Sequence, residues 1–101
     1  MIIQARWIFK LITKVSGEPI IGFAIYPFIV VYDKMDKQLV NHEEIHIEQQ
    51  KELYFIPFFI KYFWELAFKG YDDISFEREA YANDDDLNYL KRRPRYAFLD
   101  Y

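Results

Sequence analysis

The chain begins with an apolar segment whose pattern fits two different elements. Between Trp7 and Val15, apolar residues alternate with the cations Arg6, Lys10 and Lys14, which is the period of a strand. One stripe of a helix would equally contain Ile8, Leu11, Ile12 and Val15, so the pattern leaves strand and helix both open.

A turn at residues 16–19 leads into a segment rich in Ile, Val, Tyr and Phe that runs from Ile20 to Tyr32. This composition predicts a strand, with a kink at Pro27. Because proline has no N–H to donate to a ladder, we expect the strand at the edge of a sheet. The free backbone groups of an edge strand can bind a peptide.

The rest of the chain has the periodicity of three helices. Asp36 is a favourable N-cap for a helix that reaches about Tyr54. The second helix covers residues 58–69; it is apolar around most of its circumference, yet too short and too charged to span a bilayer. The third helix is capped by Ser75 and runs to about Leu90.

These elements predict a fold of the α+β class, with short N-terminal β segments packed against about three helices. At 101 residues the chain is expected to form a single domain, residues 1–101. We interpret the acidic run at residues 84–86 as a solvated helix surface.

Composition narrows the classes of function. The formal net charge is −3 and the cations are dispersed except at residues 91–95, so nucleic acid is not an expected partner. The absence of cysteine excludes disulfides and thiolate metal ligands and leaves His, Glu and Asp as donors. The first fifteen residues lack the apolar core of a signal peptide, so we expect a cytoplasmic protein that makes at most peripheral contact with a membrane.

One motif carries candidate chemistry. Residues 42–46 read H-E-x-x-H, and they contain both histidines of the chain. On a helix, His42 and His46 lie on one face and can direct their imidazoles at one zinc ion. Glu43 lies about 100° around the helix, beside the two histidines, and is the expected general base.

A catalytic zinc has three protein ligands, so a further carboxylate is needed. The third helix offers Glu77 and Glu79 in its first turns. Measured from an apolar stripe drawn from Phe76 to Leu90, Glu79 lies about 60° away and Glu77 about 100° away on the other side. Glu79 is therefore the predicted ligand. Asn83 is an amide within that stripe and needs a polar partner, so it is predicted to orient Glu79 without binding the ion itself.

With both motifs in hand, the chain resembles the gluzincin metallopeptidases, and among them the minimal minigluzincins. The resemblance rests on His42-Glu43-Glu44-Ile45-His46 and on Glu79-Ala80-Tyr81-Ala82-Asn83. The second motif is similar to the E-x-x-A-D pattern of membrane-associated relatives, with Asn83 where those have Asp. The resemblance covers residues 39–83 and implies a minimal zincin-like domain that binds Zn²⁺ and cleaves peptide bonds.

Two functions follow from these residues. The first is zinc-dependent hydrolysis of a peptide or protein substrate, with Tyr81, Arg78 or Tyr54 stabilising the oxyanion and the strand of residues 20–32 binding the substrate. The alternative is a scaffold without catalysis, zinc-bound or metal-free, that docks on a membrane or protein through its aromatic helix at residues 54–68.

Overall fold

The computed structural model describes residues 1–17 and 20–101, so part of the predicted turn at 16–19 lies outside the described residues. Its elements confirm the α+β class. In chain order they are β1 (Ile2–Gln4), α1 (Arg6–Ser16), β2 (Gly22–Ile25), β3 (Phe28–Val31), α2 (Lys37–Glu52), α3 (Ile56–Lys69), α4 (Ser75–Asn83) and α5 (Tyr89–Arg92). Short 3₁₀ turns occupy Tyr71–Asp73 and Ala97–Asp100.

The ambiguous first segment is a helix. In α1 the cations and apolar residues separate on two sides of the helix, and the helix ends at Gly17. Gly17 has a positive φ of 77° and donates its N–H to the carbonyl of Thr13, which closes the last turn. Phe9 is the buried residue of this helix, and its ring packs on Phe23 with 5.7 Å between centroids.

The segment predicted as one kinked strand forms a hairpin. Pro27 lies in the turn between β2 and β3, after a cis peptide bond from Tyr26. The two strands pair antiparallel, and β1 pairs parallel with β3, in the order β1-β3-β2. The predicted edge position is therefore correct for β2 and wrong for β3, which is the central strand. Pro27 does not keep β3 at an edge, because it lies in the turn and outside both ladders.

α2 covers one face of the sheet. Asp36 caps it as predicted and accepts a hydrogen bond from the N–H of Leu39. Residues on one side of α2 pack on alternate residues of the strands, namely Leu39, Val40 and Ile47 on Ala24, Ile29 and Val31. Since side chains alternate across a strand, Phe23 and α1 lie on the opposite face of the sheet.

A second core joins α3, α4 and the C-terminal turn. It is built from buried Phe58, Ile74, Phe76 and Phe98. The aromatic C-terminal segment thus packs back on the body of the protein. Among the described residues, no helix has the length and apolar character needed to cross a bilayer.

The third predicted helix differs from the structure at both ends. Its N-cap is Ile74, without a side-chain bond, and the carboxylate of Glu65 on α3 accepts the N–H of Ser75 at 2.6 Å. The helix ends at Asn83, after which the chain turns into α5, whereas the sequence predicted one helix to Leu90.

Candidate metal centre

Three donor atoms from two helices converge beside the sheet. His42 and His46 project from α2, and Glu77 projects from the first turn of α4. The Oε1 atom of Glu77 lies 3.1 Å from His42 Nε2 and 2.9 Å from His46 Nε2, and the two Nε2 atoms are 3.2 Å apart. All three residues are buried, and together they could hold a metal ion.

Each histidine is oriented through its second ring nitrogen. His42 Nδ1 lies 3.0 Å from the Asp84 carboxylate, and His46 Nδ1 lies 2.8 Å from Gln49 Oε1. Because both partners are oxygen acceptors, each Nδ1 carries the proton and donates. Loss of the proton that Nε2 donates to Glu77 then leaves a lone pair directed at the cluster, as a metal ligand requires.

The amide of Gln49 has its own supports. Its Nε2 donates to the carbonyl of Phe76 and to Glu79 Oε1, both at 3.0 Å. These two bonds assign the amide oxygen to the side that faces His46. The orientation of His46 is therefore linked to α4 as well as to its own helix.

Glu77 is held in its ionised form. Burial alone would raise its pKa, but hydrogen bonds from His42 and His46, the charge of His46 and the hydroxyl of Tyr62 lower it far below 4.5. Tyr62 donates to Oε2 at 2.7 Å, which leaves Oε1 for the cluster. Burial also opposes protonation of His46, yet the hydrogen bond and charge of Glu77 raise its pKa to about 9.

Glu43 lies in the same cleft in a different electrostatic state. It is 5% exposed, and burial raises its pKa above 4.5 against the opposing charges of His46 and His42. Within residues 1–17 and 20–101 no donor is hydrogen bonded to its carboxylate, so the group is open to a water or a substrate. A Cβ atom at Gly22 would lie 3.3 Å from Glu43 Oε2, so glycine allows β2 to approach this carboxylate closely.

The predicted ligand Glu79 lies elsewhere. Its side chain is fully buried and binds Arg93, whose Nη2 lies 3.0 Å from Glu79 Oε1. Tyr89 donates to its other oxygen at 2.7 Å. Burial alone would raise the pKa of Glu79, but the bonds from Arg93, Gln49 and Tyr89 lower it. The structure brings Glu77, and not Glu79, to the two histidines.

The error has a physical cause. The apolar stripe used to rank the two glutamates included Leu87 and Leu90, which lie beyond the end of α4. With those residues removed, the buried side of α4 consists of Phe76, Glu77, Glu79 and Ala80. Both glutamates are thus buried, but they lie about 160° apart around α4, so only one of them can face the histidines. Glu77 faces them, and Glu79 faces Arg93.

Asn83 also differs from its predicted role. Its amide donates to the backbone carbonyl of Glu79 and to the hydroxyl of Tyr101, and it contacts none of the three donors. The supporting residue is Asp84, which the sequence analysis assigned to a solvated surface and which is in fact buried. One signal pointed to it: Asp84 follows Glu77 by seven residues, which is two turns on the same helical face.

The cluster opens into a cleft of about 950 Å³. One wall is the edge strand β2, and the other carries aromatic residues of α3, α4 and the turn before it. Tyr81 stands over His42, with 4.5 Å between ring centroids, and its hydroxyl is 3.0 Å from that of Tyr71. The apolar lining is typical of a site that binds an organic ligand.

Comparisons of the chain with protein-family models, with curated proteins and with solved structures found no match.

Proposed function

We propose that this protein is a zinc-dependent metallopeptidase in which His42, His46 and Glu77 bind the ion and Glu43 is the general base. The observation that carries the proposal is the convergence of His42 Nε2, His46 Nε2 and Glu77 Oε1 within 3.2 Å of one another at the wall of a cleft. The gluzincin resemblance supports this proposal if the glutamate of the second motif is Glu77 in place of Glu79. Glu77-x-x-Ala80 has the same E-x-x-A spacing as Glu79-x-x-Ala82, two residues earlier.

The spacing of the donors suits zinc. Ligands about 2.0–2.1 Å from a tetrahedral ion stand about 3.3 Å from one another. The three distances of 2.9–3.2 Å between the donor atoms are close to this value. Two imidazoles and one carboxylate, with a fourth position left for water, are the ligand set of catalytic rather than structural zinc.

Hydrolysis needs a base that is separate from the ligands. When bound, zinc polarises the scissile carbonyl and lowers the pKa of a coordinated water to about 7. Glu43 accepts a proton from the water while the water oxygen bonds to the carbonyl carbon of the substrate. Glu43 then returns that proton to the amine nitrogen as the C–N bond breaks. Burial raises the pKa of Glu43 in the metal-free site, which makes its carboxylate a better proton acceptor.

Among the three candidate oxyanion donors, the contacts favour Tyr81. Its ring packs on His42, and its hydroxyl lies in the cleft beside that of Tyr71. Arg78 faces Asp73 at 3.7 Å on the surface, and Tyr54 is almost fully exposed outside the cleft lining. Tyr81 is thus the proposed donor to the developing oxyanion.

The proposed substrate is an extended peptide paired with β2. Tyr32 donates to the carbonyl of Ile21, and the ladder therefore turns the backbone groups of Gly22 and Ala24 away from β3. Gln50 donates to the carbonyl of Ala24 and accepts the N–H of Tyr26, which closes one end of this edge. Strand addition is then limited to the end at Gly22, the residue beside Glu43.

The test uses Glu43→Gln, which removes the base and leaves the three ligands intact. The wild type with zinc is screened against a mixed peptide library, and the variant is assayed on the same cleaved bond at matched zinc content. We expect zinc to stay bound and cleavage to fall by about 10²- to 10⁴-fold. Equal cleavage by both proteins would contradict the role of Glu43.

The second candidate function is the scaffold without catalysis, and the surface of α3 favours it. Its outer side exposes several large apolar residues, namely Ile56, Ile60, Phe63, Trp64 and Phe68. A protein that binds zinc through His42, His46 and Glu77 but cleaves nothing in the library would support this candidate over the peptidase.

A further inference from the structure

The outer surface of α1 carries two stripes of different chemistry. Apolar side chains repeat every four residues and are largely exposed: Trp7 at 69%, Leu11 at 55% and Val15 at 80%. A second stripe, also of period four, consists of the cations Arg6, Lys10 and Lys14. Residues four apart lie on one face of a helix, so the two stripes run side by side along α1.

The angle between the two stripes around the helix axis fits binding at a lipid surface. At 100° per residue, the centre of the cationic stripe lies about 100° from the centre of the apolar stripe. A helix that inserts the apolar stripe among acyl chains then holds its cations at the level of the headgroups. The remaining side of α1 carries Phe9, which attaches the helix to the sheet.

The charge of α1 is opposite to that of the whole protein. The chain has a net charge of −3, whereas α1 contains three cations and no acidic residue. Arg6 donates to the carbonyl of Tyr32 at 3.4 Å and lies over its ring. In the part of the chain that the structure describes, no carboxylate pairs with Lys10 or Lys14, so both ammonium groups face solvent.

We infer that α1 docks this protein on bilayers that contain anionic lipids. Trp7, Leu11 and Val15 insert, while Lys10 and Lys14 bind the headgroups. The combination is needed because either signal alone gives weak membrane binding. Since α1 and α2 lie on opposite faces of the sheet, docking leaves the helix of the metal ligands on the side away from the bilayer.

α3 provides a matched comparison. It also exposes apolar residues, but its cations lack the continuous stripe of α1, and Lys61 is neutralised by Glu65 at 2.8 Å. A general affinity for apolar surfaces would involve both helices. Docking driven by the paired stripes involves α1 alone.

The test is flotation of the full chain with two kinds of vesicle. One is phosphatidylcholine alone, and in the other about a third of the lipid is phosphatidylglycerol, which gives a negative surface. We expect binding to the anionic vesicles only, weakening as salt rises from about 0.1 M to 1 M. Lys10→Gln with Lys14→Gln should weaken binding about 25-fold, at about fivefold for each cation removed. Trp7→Ser with Leu11→Ser should abolish it.

Two tryptophans provide an independent readout. In Trp64→Phe the remaining Trp7 reports on α1, and in Trp7→Phe the remaining Trp64 reports on α3. We expect anionic vesicles to shift the emission of Trp7 to the blue and to leave that of Trp64 unchanged. Ile60→Ser with Phe68→Ser is the control variant on α3 and should bind as the wild type does.

Several results would overturn the proposal. These are absence of binding to anionic vesicles, equal binding to both kinds of vesicle, or loss of binding in the α3 control variant alone. A stable dimer that dissociates in Trp7→Ser with Leu11→Ser, without any vesicle binding, would assign the stripe to a second copy of the chain. Circular dichroism of each variant shows that its fold is retained.

Discussion

At the scale of residues, the site depends on side chains that do not touch the proposed ion. Asp84 and Gln49 fix the protonated nitrogen of the two histidines, and Tyr62 occupies the second oxygen of Glu77. Each of these contacts fixes a donor atom in the direction of the cluster. Such partners commonly change metal affinity by about 10- to 100-fold.

Asp84 and Asn83 are neighbours with different contacts, which allows a matched test. Asp84→Asn removes the charge that accepts the proton of His42 Nδ1 and should weaken zinc binding by about 10- to 100-fold. Asn83→Ala removes bonds to the Glu79 carbonyl and to Tyr101 only, and should leave zinc affinity near that of the wild type. Zinc titration of both variants measures this. A larger loss in Asn83→Ala would return the supporting role to Asn83.

At the scale of elements, two helices are joined by a buried carboxylate. Glu65 on α3 accepts the N–H and hydroxyl of Ser75 at the start of α4, and it pairs with Lys61 at 2.8 Å. An anion at the N-terminus of a helix also interacts favourably with the helix dipole. Glu65 thereby holds the first turn of α4, which carries Glu77.

This contact predicts a dependence of stability on pH. Burial alone would raise the pKa of Glu65, but the bonds from Lys61 and Ser75 lower it below 4.5. A depressed folded-state pKa stabilises the protein above the unfolded value, and this stabilisation is lost as pH falls through the folded-state pKa. Glu65→Gln should therefore cost about 2 kcal/mol at pH 7 and progressively less below pH of about 4.

Urea unfolding of the wild type and Glu65→Gln across this pH range measures the difference. Glu48→Gln is the control, because its pair with Lys51 is half exposed and should contribute less than about 1 kcal/mol. A gap between wild type and Glu65→Gln that widens as pH falls would contradict the proposed role of this carboxylate.

The elements also mark where sequence reasoning succeeds. The helix of the H-E-x-x-H motif and its cap at Asp36 follow from local rules, because a cap and a periodic helix involve neighbours in the chain. The end of α4 at Asn83 does not follow from local rules, since Leu87 and Leu90 continue its apolar stripe at helical spacing. Tertiary bonds stop the helix there: the amide of Asn41 binds the backbone carbonyls of Asp84 and Asp86.

At the scale of the whole molecule, Arg93 binds the buried glutamate of α4 that does not face the histidines. Arg93 binds Glu79 and Glu52 and so ties the C-terminal segment to α2 and α4. Nothing in the local pattern around residues 77–79 predicts that an arginine 14 residues later will bind one of two buried glutamates. The pairing of the two histidines is thus predictable from the sequence, while the identity of the glutamate beside them depends on how α4 packs against α2.

The most direct test of the account is the zinc affinity of Glu77→Gln compared with Glu79→Gln, measured by competition with a chromophoric chelator. Glu77→Gln removes a proposed ligand and should raise the zinc Kd by more than about 100-fold, beyond the usual effect of a supporting residue. Glu79→Gln leaves the buried charge of Arg93 with less compensation and should mainly lower stability, with a smaller effect on Kd. A larger loss of zinc affinity in Glu79→Gln would contradict the proposed centre of His42, His46 and Glu77.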